Sequence, residues 1–76
     1  MAHAFIMVKA TTGDAEALAK RIGELDHVSD VNVVAGGWDV IVEAEAAEVY
    51  DIIQSVATRI RGFEDVDDTK TYVSLE

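Results

Sequence analysis

Two runs rich in valine and isoleucine, Val28 to Val34 and Trp38 to Glu43, meet at the pair Gly36-Gly37. Both glycines tolerate positive φ, so a Gly-Gly pair between apolar runs predicts a hairpin. Trp38 and Asp39 then stand at the mouth of that turn. A large ring beside a fixed charge, on a permissive backbone, suits a small polar ligand. The same residues also suit an ordinary turn whose Trp38 covers the edge of the core.

A strand and a helix pattern precede the hairpin, and a helix and a strand pattern follow it. Ala4 to Lys9 reads as a strand, with Phe5 and Met7 on one face and Ile6 and Val8 on the other. Thr12 is placed to cap a helix, and Asp14 and Glu16 put negative charge on its first turn. Leu18, Ile22 and Leu25 repeat at helical spacing beside Ala15 and Ala19. In the second strand Val31 and Val33 share a face; in the third, Val40 and Val42 point inward and Asp39, Ile41 and Glu43 outward. Ala46 to Ile60 is the clearest helix, with Val49, Ile52, Ile53, Val56 and Ile60 on one stripe. Arg59 and Arg61 suit the negative end of its dipole, Gly62 is a natural terminator, and Phe63 can fold back on the last turn. Val66 to Leu75 is the last strand, with Thr69, Thr71 and Val73 on one side and Lys70, Tyr72 and Ser74 on the other.

The order is βαββαβ. Right-handed crossovers leave room for one strand between the two strands that each helix joins. Two interleaved units therefore predict an α+β, ferredoxin-like fold: a four-stranded antiparallel sheet with both helices on one face. The other face stays bare, and Ile6, Val8, Ile41 and Tyr72 are expected on it. A bare apolar face of this kind marks an interface.

Size and charge narrow the function. At 76 residues the chain is expected to form one domain over residues 1–76, with a marginal core. Such domains need a staple, and the absence of cysteine removes disulfides, zinc-thiolate sites and thiol catalysis. Association into a homo-oligomer is the staple left. Fifteen acidic against six basic residues give a net charge of −9, which opposes direct binding to nucleic acid or an anionic membrane. With three lysines only, the composition also fits adaptation to high salt. No apolar run reaches the roughly 18 residues of a membrane span, and the N-terminus lacks a signal-peptide pattern, so a cytoplasmic protein is expected.

Enzymatic chemistry finds little support. His3 and His27 have no ligand spacing, and no serine, cysteine or histidine constellation is legible. Asp65-Val66-Asp67-Asp68 lacks the glycine and spacing of a calcium loop and reads as a solvated charge run. Gly36-Gly37 precedes a strand, whereas phosphate cradles open a helix. No metal and no cofactor are expected. A small dimeric ferredoxin-like enzyme would need a placed acid or base between sheet and helices, where this chain offers Val, Ile and Leu.

The run Val33 to Val42 containing Gly36-Gly37-Trp38-Asp39, the helix from Val49 to Ile60, Arg61-Gly62-Phe63, and Asp68-Thr69-Lys70-Thr71-Tyr72-Val73 together resemble the effector domain of Lrp/AsnC transcriptional regulators. Gly36-Gly37-Trp38-Asp39 fits that family's G-x-x-D signature, and Thr69-Lys70-Thr71-Tyr72-Val73 its last strand. The resemblance covers nearly the whole chain. It implies a non-enzymatic module that binds an amino acid or similar small effector between dimers. It further implies dimers paired through their sheet faces, associated into a ring such as four dimers. Carried over, the effector-responsive residues are Val33, Gly36, Gly37, Asp39, Tyr72, Val73 and Ser74, with Asp39 orienting the ligand's ammonium and the glycine backbone letting it approach. The helix-turn-helix of the full regulators is missing, and Met1 stands directly before the first strand. That is expected of a stand-alone form that modulates full-length relatives instead of binding DNA. A purely structural oligomerisation domain without ligand is the alternative. ACT-type amino-acid sensors share the fold and role, but the G-x-x-D spacing favours the Lrp/AsnC type.

Overall fold

A computed structural model describes residues 1–11 and 13–75. Strand β1 (Ala2–Ala10) leads to helix α1 (Ala15–Gly23), strand β2 (Val28–Val33) and strand β3 (Val40–Ala46). The second helix runs as Val49–Ile52, a π-helical turn Ile53–Ala57 and a final α-turn Thr58–Arg61, here together α2. Strand β4 (Val66–Val73) closes the chain. The sheet order is β2-β3-β1-β4 with every neighbouring pair antiparallel, so each helix carries the chain across an intervening strand. This is the α+β, ferredoxin-like arrangement that the order of the patterns dictates.

The core lies between the sheet and the helices. Ala4, Ile6 and Val8 of β1 and Val40, Val42 and Ala44 of β3 are fully buried against Leu18 and Ile22 of α1 and Ile52, Val56 and Ile60 of α2. Here the structure corrects the expected faces: Ile6 and Val8 are not on the bare side. Directly opposed residues of an antiparallel pair share a face. Ile6 stands opposite Val42 and Val8 opposite Val40, so both follow β3's inward valines into the core. Phe5 and Met7 take their places on the open face, in one row with Glu43 and Ile41 of β3 and with Tyr72 and Lys70 of β4.

Element ends differ from the sequence reading for local reasons. Asp14 caps α1, its Oδ1 accepting from the Ala17 N–H at 3.1 Å. Thr12, the expected cap, lies outside the described residues. Leu25 lies beyond α1 but still packs against the core. Strand β3 begins at Val40, leaving Trp38 in the loop, and runs on to Ala46, which pairs with Ala2. The inward row Val40, Val42, Ala44, Ala46 holds the chain in the strand, so the second helix starts at Val49. Gly62 ends that helix at φ −81°, a right-handed conformation, and Phe63 does fold back onto the core.

Candidate functional site

The Gly36-Gly37 turn is closed at its base. The Val34 N–H donates to the Asp39 carbonyl at 2.9 Å, and the Asp39 N–H donates to the Val8 carbonyl at 2.9 Å. The Asp39 carboxylate then accepts from the Ala10 N–H at 2.8 Å. Ala10 sits where the β1–β4 register shifts, with Asp67 the extra residue on β4. Asp39, half-buried, thus ties the turn to β1 and to Val34, the residue just after β2. Above this base the loop is open. A Cβ added at Gly36 or Gly37 would meet nothing within 4 Å. Only Gly36 adopts positive φ (+156°), so it alone of the pair uses a conformation closed to most side chains. Trp38 is half-buried.

The expected site residues fall into two groups. Val33, Gly36, Gly37 and Asp39 lie together at the end of the sheet where β1 terminates. Val33 pairs with Val40, which pairs with Val8, which pairs with Thr69. Tyr72, Val73 and Ser74 lie at the other end, with Val73 opposite Ala4. From Val8 to Ala4 the strand advances about 14 Å. Within one chain the structure does not bring the two groups together. Tyr72 is on the open face and 50% exposed. Val73 packs its side chain against the core, leaving its backbone as the part a ligand can meet. Ser74 donates its N–H to the His3 carbonyl at 2.8 Å.

Around these groups the open face is mixed. Phe5, Met7, Ile41 and Tyr72 form its middle. Lys70 lies on β4, and Lys9 stands opposite Asp68. On the other side Asp30 stands opposite Glu43, and Asn32 Nδ2 donates to Asp30 Oδ2 at 3.0 Å. His3 stacks against Phe5 with ring centroids 4.9 Å apart, and its Nε2 lies 3.3 Å from Glu43 Oε1. That approach is an ion pair only when the imidazole is protonated; its angle is not that of a hydrogen bond.

At the turn end, a concave patch of about 270 Å³ is lined by Arg61, Val66, Asp67, Asp68 and Thr69. Arg21 reaches across from α1 to Asp65 and covers the Phe63 ring, 5.3 Å from its centroid. The Thr11 N–H donates to the Asp65 carbonyl at 2.9 Å, joining this cluster to the end of β1. Sequence reading missed Val8 and Ala10, which hold the turn through backbone groups and leave no signature in residue type. Among the described residues no group of three or more His, Cys, Asp or Glu is placed to hold a metal ion. Nor is any helix among them long and apolar enough to cross a membrane.

A sheet sealed by two helices on one face, open on the other and ending in a G-x-x-D turn, is a ferredoxin-like α+β domain. A model of the Lrp/AsnC ligand binding domain family matches residues 3–76, and the chain belongs to that family. It is therefore related to the effector-binding part of transcription regulators. It is 31% identical over 58 residues to an uncharacterized helix-turn-helix-type transcriptional regulator of Pyrococcus furiosus, a match spanning 76% of this chain and 39% of that protein. The chain thus spans about two fifths of that relative's length. A crystal structure of a Thermus thermophilus protein superposes with TM-score 0.91 at 26% identity, covering 100% of this chain and 95% of the other. A Neisseria meningitidis transcriptional regulator, solved in complex with L-Met, shares the fold with TM-score 0.77 at 18% identity, covering 99% of this chain and 50% of that one.

Proposed function

We propose that this chain is a regulatory module that binds an amino acid or a similar small effector where two of its dimers meet. The separation of the two site groups is the observation that carries this reading. Val33, Gly36, Gly37 and Asp39 stand at one end of the sheet and Tyr72, Val73 and Ser74 at the other, so a ligand touching both needs residues from different copies. The Neisseria regulator's complex with L-Met supports an amino acid as the ligand class.

Dimers form first, through the open sheet faces. Phe5, Met7, Ile41 and Tyr72 supply an apolar middle that the chain's own helices do not cover. Packing two such faces about an axis along the strands lays β4 of one copy over β2 of the other. Lys70, level with Met7, Ile41 and Asn32, then lies over Asn32 of the second copy and next to its Asp30, so the face is complementary to itself. Further association of dimers, as in a ring of four, brings the turn of one dimer to the β4 end of the next. With a net charge of −9 the module acts on transcription through full-length, DNA-binding relatives and not by contacting DNA. The same charge suits a cytoplasm of high salt.

Calorimetry against the standard amino acids, together with solution mass, tests the reading. Heat from at least one amino acid, with a mass above a single chain, is expected. Normal assembly with no heat from any of them would leave a purely structural oligomerisation domain; a single-chain mass at all salt concentrations would overturn the reading entirely.

A further inference from the structure

We infer that Asp39 serves the effector turn as a positioning residue, holding it on the end of β1 through the Ala10 N–H, and that its charge is not the ligand's direct partner. This rests on the effector-binding reading above and assigns a role within that site.

Three hydrogen bonds converge on this one residue. Its carbonyl accepts from Val34 at 2.9 Å, its N–H donates to the Val8 carbonyl at 2.9 Å, and its carboxylate accepts from Ala10 at 2.8 Å. The first two are ladder-like and available to any residue. The third needs a side-chain acceptor of aspartate length. The Ala10 N–H lies on the β3 side of β1, as the Val8 carbonyl does, and β3 does not reach it, since its first residue, Val40, stands opposite Val8. The Ala10 N–H has therefore run past its strand partner, and the Asp39 carboxylate replaces the missing carbonyl. Beyond Ala10 the chain continues to Thr11, whose N–H is held by the Asp65 carbonyl. Successive backbone donors at the end of β1 are thus anchored on two different loops. The Gly36-Gly37 loop, where an added Cβ at either glycine would meet nothing within 4 Å, inherits its position from this anchor. Asp39 is half-buried at the base of the turn with its Oδ2 already engaged, whereas Gly36 and Gly37 are exposed.

Asparagine separates the two roles. In Asp39→Asn the side-chain carbonyl can still accept from Ala10, but the charge is gone; in Asp39→Ala both are gone. Amide hydrogen exchange on the full chain reads the anchor without any ligand. The Ala10 amide is expected to stay protected in the native chain and in Asp39→Asn, and to exchange at least about tenfold faster in Asp39→Ala. Calorimetry with L-methionine and the other standard amino acids reads the ligand. Whichever of them binds the native chain is expected to bind Asp39→Asn within a few-fold and to lose most of its affinity for Asp39→Ala. Unchanged Ala10 exchange in Asp39→Ala overturns the inference, as does an Ala10 amide left unprotected in Asp39→Asn. An Asp39→Asn variant that keeps Ala10 protected but loses the ligand also overturns it, by making the charge a direct contact. If Asp39→Ala does not fold, the exchange of Asp39→Asn alone decides. If no amino acid binds the native chain, the effector-binding reading fails while the exchange arm still tests the anchor.

Discussion

Phe5 stands opposite Tyr72 across the β1–β4 pair, on the sheet face that no helix covers. Replacing either by aspartate puts an unpaired charge into the middle of the proposed dimer contact, where it must be desolvated. In the isolated chain both positions face solvent, and Tyr72 is 50% exposed. Phe5→Asp and Tyr72→Asp are therefore expected to sediment as single chains while keeping their far-ultraviolet circular dichroism. An assembled Phe5→Asp variant would move the contact elsewhere on the molecule.

Ile6, next in the chain, obeys the opposite rule. It is fully buried opposite Val42. Ile6→Ala is expected to cost about 2–5 kcal/mol, the lost transfer energy plus the cavity left behind. A domain of this length has only about 4–11 kcal/mol to lose. Urea unfolding should therefore show Ile6→Ala close to its midpoint already in dilute denaturant. Phe5→Ala, measured under conditions that keep the chain unpaired, should lose much less. Equal losses at the two positions would contradict the assignment of faces.

That pair of neighbours also shows where sequence reading stopped. The period of β1 was legible, but its phase was not, because Phe5, Ile6, Met7 and Val8 are all apolar. The phase is set by β3, where Val40, Val42, Ala44 and Ala46 alternate with Ile41, Glu43 and Glu45, and which β1 must match residue by residue. The same inward row extended β3 past Glu43 and delayed the second helix, whose stripe alone could not locate its start. At the site, the Gly36-Gly37 turn and Asp39 stood out in the sequence. The partner of Asp39 did not, because an N–H left without a β3 partner at Ala10 belongs to the backbone and carries no residue-type signal.

Lys70 offers a test of the dimer's orientation. In the proposed packing it lies over Asn32 of the second copy, next to Asp30, to which Asn32 donates a hydrogen bond. Lys70→Glu then opposes like charges and should weaken association by about tenfold or more, as close interfacial charge pairs do. Adding Asp30→Lys should restore part of the loss. Rescue requires that the two positions meet across the dimer, because within one chain they stand on opposite edge strands, β4 and β2. Analytical ultracentrifugation of the two single variants and the double variant reads this directly. Additive losses without rescue would indicate a different axis.

Arg21 links α1 to the loop before β4 by pairing with Asp65 and covering Phe63. The pair is half exposed on the arginine side (46%), so its charge contributes less than a buried pair would. Ion pair and ring contact together are worth about 1–2 kcal/mol. Arg21→Ala should lower the unfolding free energy by that amount. Arg21→Lys should recover only part of it, since an ammonium lacks the planar surface that lies over Phe63. Full recovery by lysine would mean that charge alone matters at this position.

Salt acts on this chain through two opposing effects. It weakens attractive pairs such as Arg21 with Asp65, and it relieves repulsion among the surplus carboxylates. With fifteen acidic residues against six basic ones, most carboxylates have no cationic partner available, so repulsion dominates. The screening length falls from about 10 Å at 0.1 M to about 3 Å at 1 M, short enough to uncouple neighbouring surface carboxylates. The melting temperature is therefore expected to rise from low to molar sodium chloride. Pairing should tighten over the same range, because each copy brings a net charge of −9 to the contact. The Arg21→Ala variant should rise more steeply than the native chain, having lost an attraction that salt would otherwise weaken. A melting temperature that is flat or falls with salt would show that specific pairs outweigh the net charge, and would remove the physical basis for a protein tuned to saline surroundings.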